Sequence, residues 1–218
     1  MKEFTHKIKR NRGMICSIFT QSHPEYSRGM TYVELIVVVG IFSILSSAVI
    51  FNYRGFQARV DIKNLASDVA QKVVEAQNSS LSGKFPPPLP RYSVGATWRP
   101  SFGVYIDKNA DNKSFLYFTD LNNDNLFEGT ACTGECIEKV FITKGNSISR
   151  LDVFYRNDET AHSFNNLTIS FTRPNGAAII KSSQPLASAI SYVQITVLSP
   201  SSLEAEIKIY PSGRIQIN

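Results

Sequence analysis

From Met30 to Tyr53 the chain runs MTYVELIVVVGIFSILSSAVIFNY, apolar around the whole circumference of a helix, with Glu34 its one charge. These 24 residues, at a helical rise of 1.5 Å each, reach roughly 36 Å and match the thickness of a bilayer. After Tyr53 the pattern becomes one-sided. Phe56, Val60, Ile62, Leu65, Val69, Val73 and Ala76 recur mostly at three- and four-residue steps, with Arg59, Lys63, Asp68, Lys72 and Glu75 between them. That spacing predicts a single helix from about Thr31 to Leu81 whose outer half lays an apolar stripe on a core. Asn78-Ser79-Ser80 through Ser82-Gly83 supply its stop.

Phe85-Pro86-Pro87-Pro88-Leu89-Pro90 cannot continue a helix and reads as a stiff, extended spacer, with a polyproline ligand as the other reading. Beyond Pro100 short β-like runs predominate: 102–106, 114–119, 139–143, 148–155, 167–172, 177–181, 192–198, 205–210 and 214–217. Pro174-Asn175-Gly176 and Pro211-Ser212-Gly213 lie between alternating apolar runs and predict hairpins. Asn157 to His162 reads as a polar loop. The fold class is therefore α+β: a long N-terminal helix, with a transmembrane half and an amphipathic half, packed on a mainly antiparallel β-sheet head. The divisions are a basic leader over 1–29, the spanning helix over 30–53, its amphipathic continuation over 54–83, a Pro-rich connection over 84–100 and the β-rich head over 101–218.

Charge sharpens the picture by its location. The chain holds 23 Lys+Arg against 18 Asp+Glu, a balance of +5, which by itself suggests nucleic acid or a membrane surface. Six basic and two acidic residues fall within 1–29, which leaves 17 and 16 for the rest. Residues 30–218 are nearly neutral, and a DNA-binding stripe is disfavoured. A basic leader before an apolar span is expected to stay in the cytoplasm while everything after Tyr53 goes outward. A secretory signal cut after Ser46-Ser47-Ala48 fits less well, because the apolar run continues through Val49-Ile50-Phe51. His6 and His23 belong to the leader, leaving only His162 for the head, so no catalytic constellation forms and an enzyme is not expected.

Arg28-Gly29-Met30-Thr31-Tyr32-Val33-Glu34-Leu35, followed by the apolar run, resembles the N-terminal signature of type IV prepilins and pseudopilins. The resemblance implies a pilin-like fold, cleavage between Gly29 and Met30 by a membrane-embedded prepilin peptidase, and N-methylation of Met30 as the new terminus. It makes Glu34 the fifth mature residue, able to pair with the cationic α-amino group of an adjacent subunit. Phe is commonest at the first mature position, and Met30 departs from it while remaining apolar. The tail LTISFTRPNGAAII, then YVQITVL, then AEIKIYPSGRIQIN is similar to the C-terminal part of H-type minor pseudopilins and FimT-like minor pilins. Together these imply a structural subunit, of minor type, of a type IV pilus or a type II secretion pseudopilus. It would sit in the inner membrane as a single-pass protein with its C-terminus outside, then in a cell-surface or periplasmic filament. Implied partners are other pilin or pseudopilin subunits, the prepilin peptidase, the assembly platform with its ATPase, and membrane lipid before assembly.

Asp120, Asn122 and Asp124 place oxygens at alternate positions with Glu128 four further on, a pattern that can wrap Ca²⁺. Asn125 replaces the turn Gly of an EF-hand and Ala131 its closing Glu, so that motif fails, and an Asx-rich turn without metal is the competing reading. No cofactor is required otherwise. Cys16 goes with the leader, while Cys132 and Cys136 face an oxidising compartment and are expected to form a local disulfide, with free thiols as the alternative. The function class competing with a filament subunit is a binding module at a filament tip, for Ca²⁺-dependent adhesion or DNA uptake.

Overall fold

Thr31 opens the long helix. In the computed structural model, which describes residues 29–85, 99, 101–129, 132–187 and 189–218, helix α1 spans Tyr32–Ser82. The leader up to residue 28, with Cys16, and most of the Pro-rich connection fall outside those residues. The chain divides into two compact units, Met1–Ser47 and Ala48–Asn218. In the first, Thr31 Oγ1 accepts the Glu34 N–H at 3.3 Å and the Thr31 carbonyl accepts that of Leu35 at 3.1 Å. Thr31-x-x-Glu34 is a capping-box sequence, and its carboxylate lies in the first turn, where the helix dipole favours negative charge.

In the second unit the helix becomes one-sided. Ile62, Leu65, Ala66, Val69, Ala70, Val73 and Ala76 are buried while Lys63, Asp68 and Gln71 are exposed. It ends in a Schellman motif: Gly83 takes φ +67°, its N–H bonds the Ser80 carbonyl, and the Lys84 N–H bonds that of Ser79, both at 3.1 Å.

Among the described residues ten strands form two antiparallel sheets. The first contains β1 (Ser101–Asp107), β2 (Ser114–Thr119), β3 (Cys136–Phe141), β6 (Asn166–Thr172) and β7 (Ala178–Lys181), in the order β3-β2-β1-β6-β7. The second contains β4 (Ser147–Tyr155), β5 (Asp158–Ser163), β8 (Ile190–Leu198), β9 (Glu204–Ile209) and β10 (Ile215–Ile217), in the order β10-β9-β8-β4-β5. Register puts Phe102, Val104 and Ile106 beside Phe171, Ile169 and Leu167, and Val193 and Ile195 beside Ile209 and Ile207. These inward residues and the helix stripe form one continuous core. Both hairpin turns are tied to the helix, since Gln77 Nε2 donates to the Gly176 carbonyl at 2.9 Å and approaches that of Gly213 at 3.4 Å.

Two sequence expectations change. The polar stretch 157–162 is not a loop: it supplies most of β5, an edge strand paired through Asp152↔Ser163, Val153↔His162 and Tyr155↔Asp158. Backbone pairing suffices at an edge, and the Tyr155 ring packs on His162 at 5.1 Å between centroids. The strand expected over 139–143 starts earlier, at Cys136, because Cys136 pairs with Phe118 across a β-bulge.

Candidate functional site

Gly29 and Met30 lie immediately before the helix and Glu34 in its first turn, all three exposed. Every large apolar side chain from Met30 to Ile50 is exposed as well, and the helix is long and apolar enough near the N-terminus to cross a membrane. Thr31, which sequence reasoning passed over, supplies the cap, and the T-x-x-E spacing before an apolar run was the signal for it.

The second candidate, the turn after β2, is a built structure rather than a bare connection. Asp120 is fully buried and its two carboxylate oxygens accept the N–H groups of Asn123 and Asn125, both at 2.7 Å. Asn122 Oδ1 accepts the Asp124 N–H at 3.0 Å and Asp124 Oδ1 that of Leu126 at 2.7 Å, a run of Asx turns. Positive φ at Asn123 and Asn125, 65° and 61°, suits a residue that tolerates the left-handed region. The loop then crosses the outer face of the first sheet. Asn125 Oδ1 lies 3.3 Å from the hydroxyls of Ser170 and Thr172 on β6, and Lys181 Nζ on β7 bonds the Asp124 carbonyl. The Phe127 ring reaches Tyr105 at 4.9 Å and Phe118 at 5.5 Å between centroids. Gly103 lies beneath this aromatic cover, where a Cβ would meet the Phe118 ring and the Ile169 carbonyl oxygen, each at 2.6 Å.

The return limb is held by Glu135, which sequence reasoning missed. Its carboxylate takes the Leu121 N–H at 2.8 Å on one oxygen and the Glu128 N–H at 3.0 Å on the other, closing the base of the loop. Burial, reinforced by the carboxylates of Asp120 and Asp124, pushes its pKa up to about 7 against the pull of those two amides. Asp120 is raised in the same way, by burial first. Cys132 and Cys136 are joined in a disulfide, with Cα atoms 5.0 Å apart, so that Glu135 sits inside the closed ring. Loop-closure entropy for so short a ring gives about 2 kcal/mol of stabilisation.

The proposed Ca²⁺ ligands thus hold their own loop. Asp120, Asn122 and Asp124 spend side-chain oxygens on backbone amides, while Glu128 enters the network through its N–H. Among the described residues no group of three or more His, Cys, Asp or Glu is placed to hold a metal ion. A cleft of about 570 Å³ opens beside the loop, lined by Arg99, Asn123, Asn125, Arg173 and Asn175 among others. Elsewhere His162 Nε2 pairs with Asp158 at 2.7 Å on the edge strand, both side chains over 40% exposed. Comparison with family models, curated proteins and solved structures finds no match.

Proposed function

We propose that the chain is a prepilin-like structural subunit. It is cut between Gly29 and Met30, anchored by the helix that follows with its head outside the inner membrane, and then packed into a type IV pilus or secretion pseudopilus as a minor subunit. The observation that carries this reading is the join of three features on one helix: Glu34 five places after Gly29, an apolar surface exposed from Met30 to Ile50, and a one-sided stripe buried on a β-rich head. A surface that is apolar all round suits lipid or neighbouring helices of the same kind. In such a bundle Glu34 is too costly to leave unpaired, and the α-amino group of Met30 is its partner in the adjacent subunit. Prepilin peptidase, the assembly platform and its ATPase are the machinery this function requires.

Mass spectrometry of the protein from assembled filaments is expected to find an N-terminus at N-methylated Met30. Recovery of filaments with residues 1–29 attached would overturn the reading. Glu34→Ala is expected to insert into membrane normally and to enter filaments at least tenfold less efficiently.

A further inference from the structure

The Cys132–Cys136 bond is unevenly accessible, with Cys132 exposed and Cys136 only 6% exposed. An attacking thiolate therefore reaches the Cys132 sulfur, and the Cys136 sulfur leaves. The ring this bond closes does more than staple five residues. Gly134, at φ +67°, is pressed on the loop so closely that a Cβ would meet the Glu128 carbonyl oxygen at 2.7 Å. Glu135 accepts the amides at both ends of the loop, and its own carbonyl accepts the Thr119 N–H at 3.0 Å. Between those two ends lies Phe127, covering Tyr105 and Phe118.

We infer that Cys132–Cys136 is an exchangeable redox latch: its reduction by a dithiol releases the Glu135 clamp, and Phe127 lifts from the outer face of the first sheet. The chemistry balances without a cofactor. One thiolate of the dithiol attacks Cys132 Sγ, the protein S–S bond breaks, and Cys136 departs as a thiolate that takes up a proton. The second thiolate of the reagent then attacks the mixed disulfide, its own S–S bond forms, and Cys132 leaves and is protonated. Two electrons and two protons pass to the protein, and the dithiol becomes a disulfide. The ring is small and its stabilisation modest, so the change is local: the core of helix stripe and inward strand residues contains neither sulfur-closed turn nor loop. This inference does not rest on the filament reading.

The test is amide hydrogen exchange on the full chain in detergent micelles, with and without dithiothreitol, after alkylation to verify that both thiols have formed. Reduction is expected to speed exchange at the Leu121 and Glu128 amides by about thirtyfold, the factor that the ring's closure entropy implies, while Ile169 and Ile195 in the core keep their protection. Cys132→Ser should behave as reduced protein whatever the reagent. Glu135→Ala should expose the same two amides with the disulfide intact. Thiol reagents should modify Cys132 in a Cys136→Ser chain at least tenfold faster than Cys136 in a Cys132→Ser chain. Unchanged protection at Leu121 and Glu128 after full alkylation would overturn the latch. So would loss of core protection in step with the loop, which would make the bond a general staple, or retained protection in Glu135→Ala.

Discussion

Between Met30 and Ile50 the large apolar side chains of α1 are 49–78% exposed, whereas Ile62, Leu65, Ala66, Val69, Ala70, Val73 and Ala76 on the same helix are at most 8% exposed. Both stretches are rich in Val, Ile, Leu and Ala, so apolar content does not separate them. Distribution does. The first stretch is apolar on every side, and no single flat surface of its own chain could cover it. The second confines its apolar residues to a stripe and leaves Lys63, Asp68 and Gln71 to solvent, so one face of a β-rich head is enough to bury it. The periodicity of a helix thus tells whether its hydrophobic driving force is satisfied within the chain or by what surrounds it.

The strongest way to break this contrast is to put a carboxylate in each stretch. Val73→Asp, at a fully buried position, is expected to destabilise the head by about 4 kcal/mol or more, because the charge is buried without a partner. Val39→Asp, at a position 54% exposed, should leave the head's melting transition within about 0.5 kcal/mol of wild type. Circular dichroism melting of both full-length variants in micelles decides it, and equal losses would erase the distinction.

A smaller effect separates the head by pH. Glu135 holds a proton up to about pH 7, above its ordinary 4.5, so the folded head binds a proton that the unfolded chain releases. Its contribution is complete below about pH 4.5 and is lost as pH rises towards 7, by about 3 kcal/mol. Asp111, held down to about 2 by Ser114 and Lys139, and Asp158, held to about 2 by Thr160 and His162, work in the opposite sense. Their contribution is present above the ordinary 3.8 and is lost as pH falls towards 2. Urea unfolding across pH should therefore peak between about 4 and 5, and Glu135→Gln should flatten the limb between 4.5 and 7. A wild-type profile that climbs through that window would refute the assignment.

The least effect is expected at the exposed end. Thr31→Ala removes the cap and should cost about 1 kcal/mol locally, seen as about fivefold faster amide exchange at Glu34 with the head's melting unchanged. If the head melted earlier, the first turn would be contributing to it and the contrast would be weaker than drawn.

Much of this molecule is written in short-range patterns. The helix limits read from spacing, Thr31 to Leu81, differ by one residue at each end from Tyr32–Ser82, because caps and the Gly83 stop act within one turn. The turns at 174–176 and 211–213 join paired strands β6–β7 and β9–β10, since a hairpin needs only its own residues. β5 was illegible because an edge strand needs no apolar alternation. The Gly29, Met30 and Glu34 pattern and the Cys132 to Cys136 spacing are local too, and both are visible in the order of residues.

Glu135 shows where such reading stops. Nothing about a lone Glu between Gly134 and Cys136 indicates that its carboxylate will bond amides seven and fourteen positions away. The helix, its two kinds of surface, most strands and the spacing of the Gly29–Glu34 and cysteine motifs can be read from the chain alone, because all of them depend on neighbours within a turn or a hairpin. The division into two sheets, the Gln77 tie to both hairpins, and the laying of Phe127 over Tyr105 and Phe118 arise only when the chain packs. Those outcomes depend on which distant surfaces remain to be covered once the helix stripe has taken its place in the core, and that competition for burial has no local period to read.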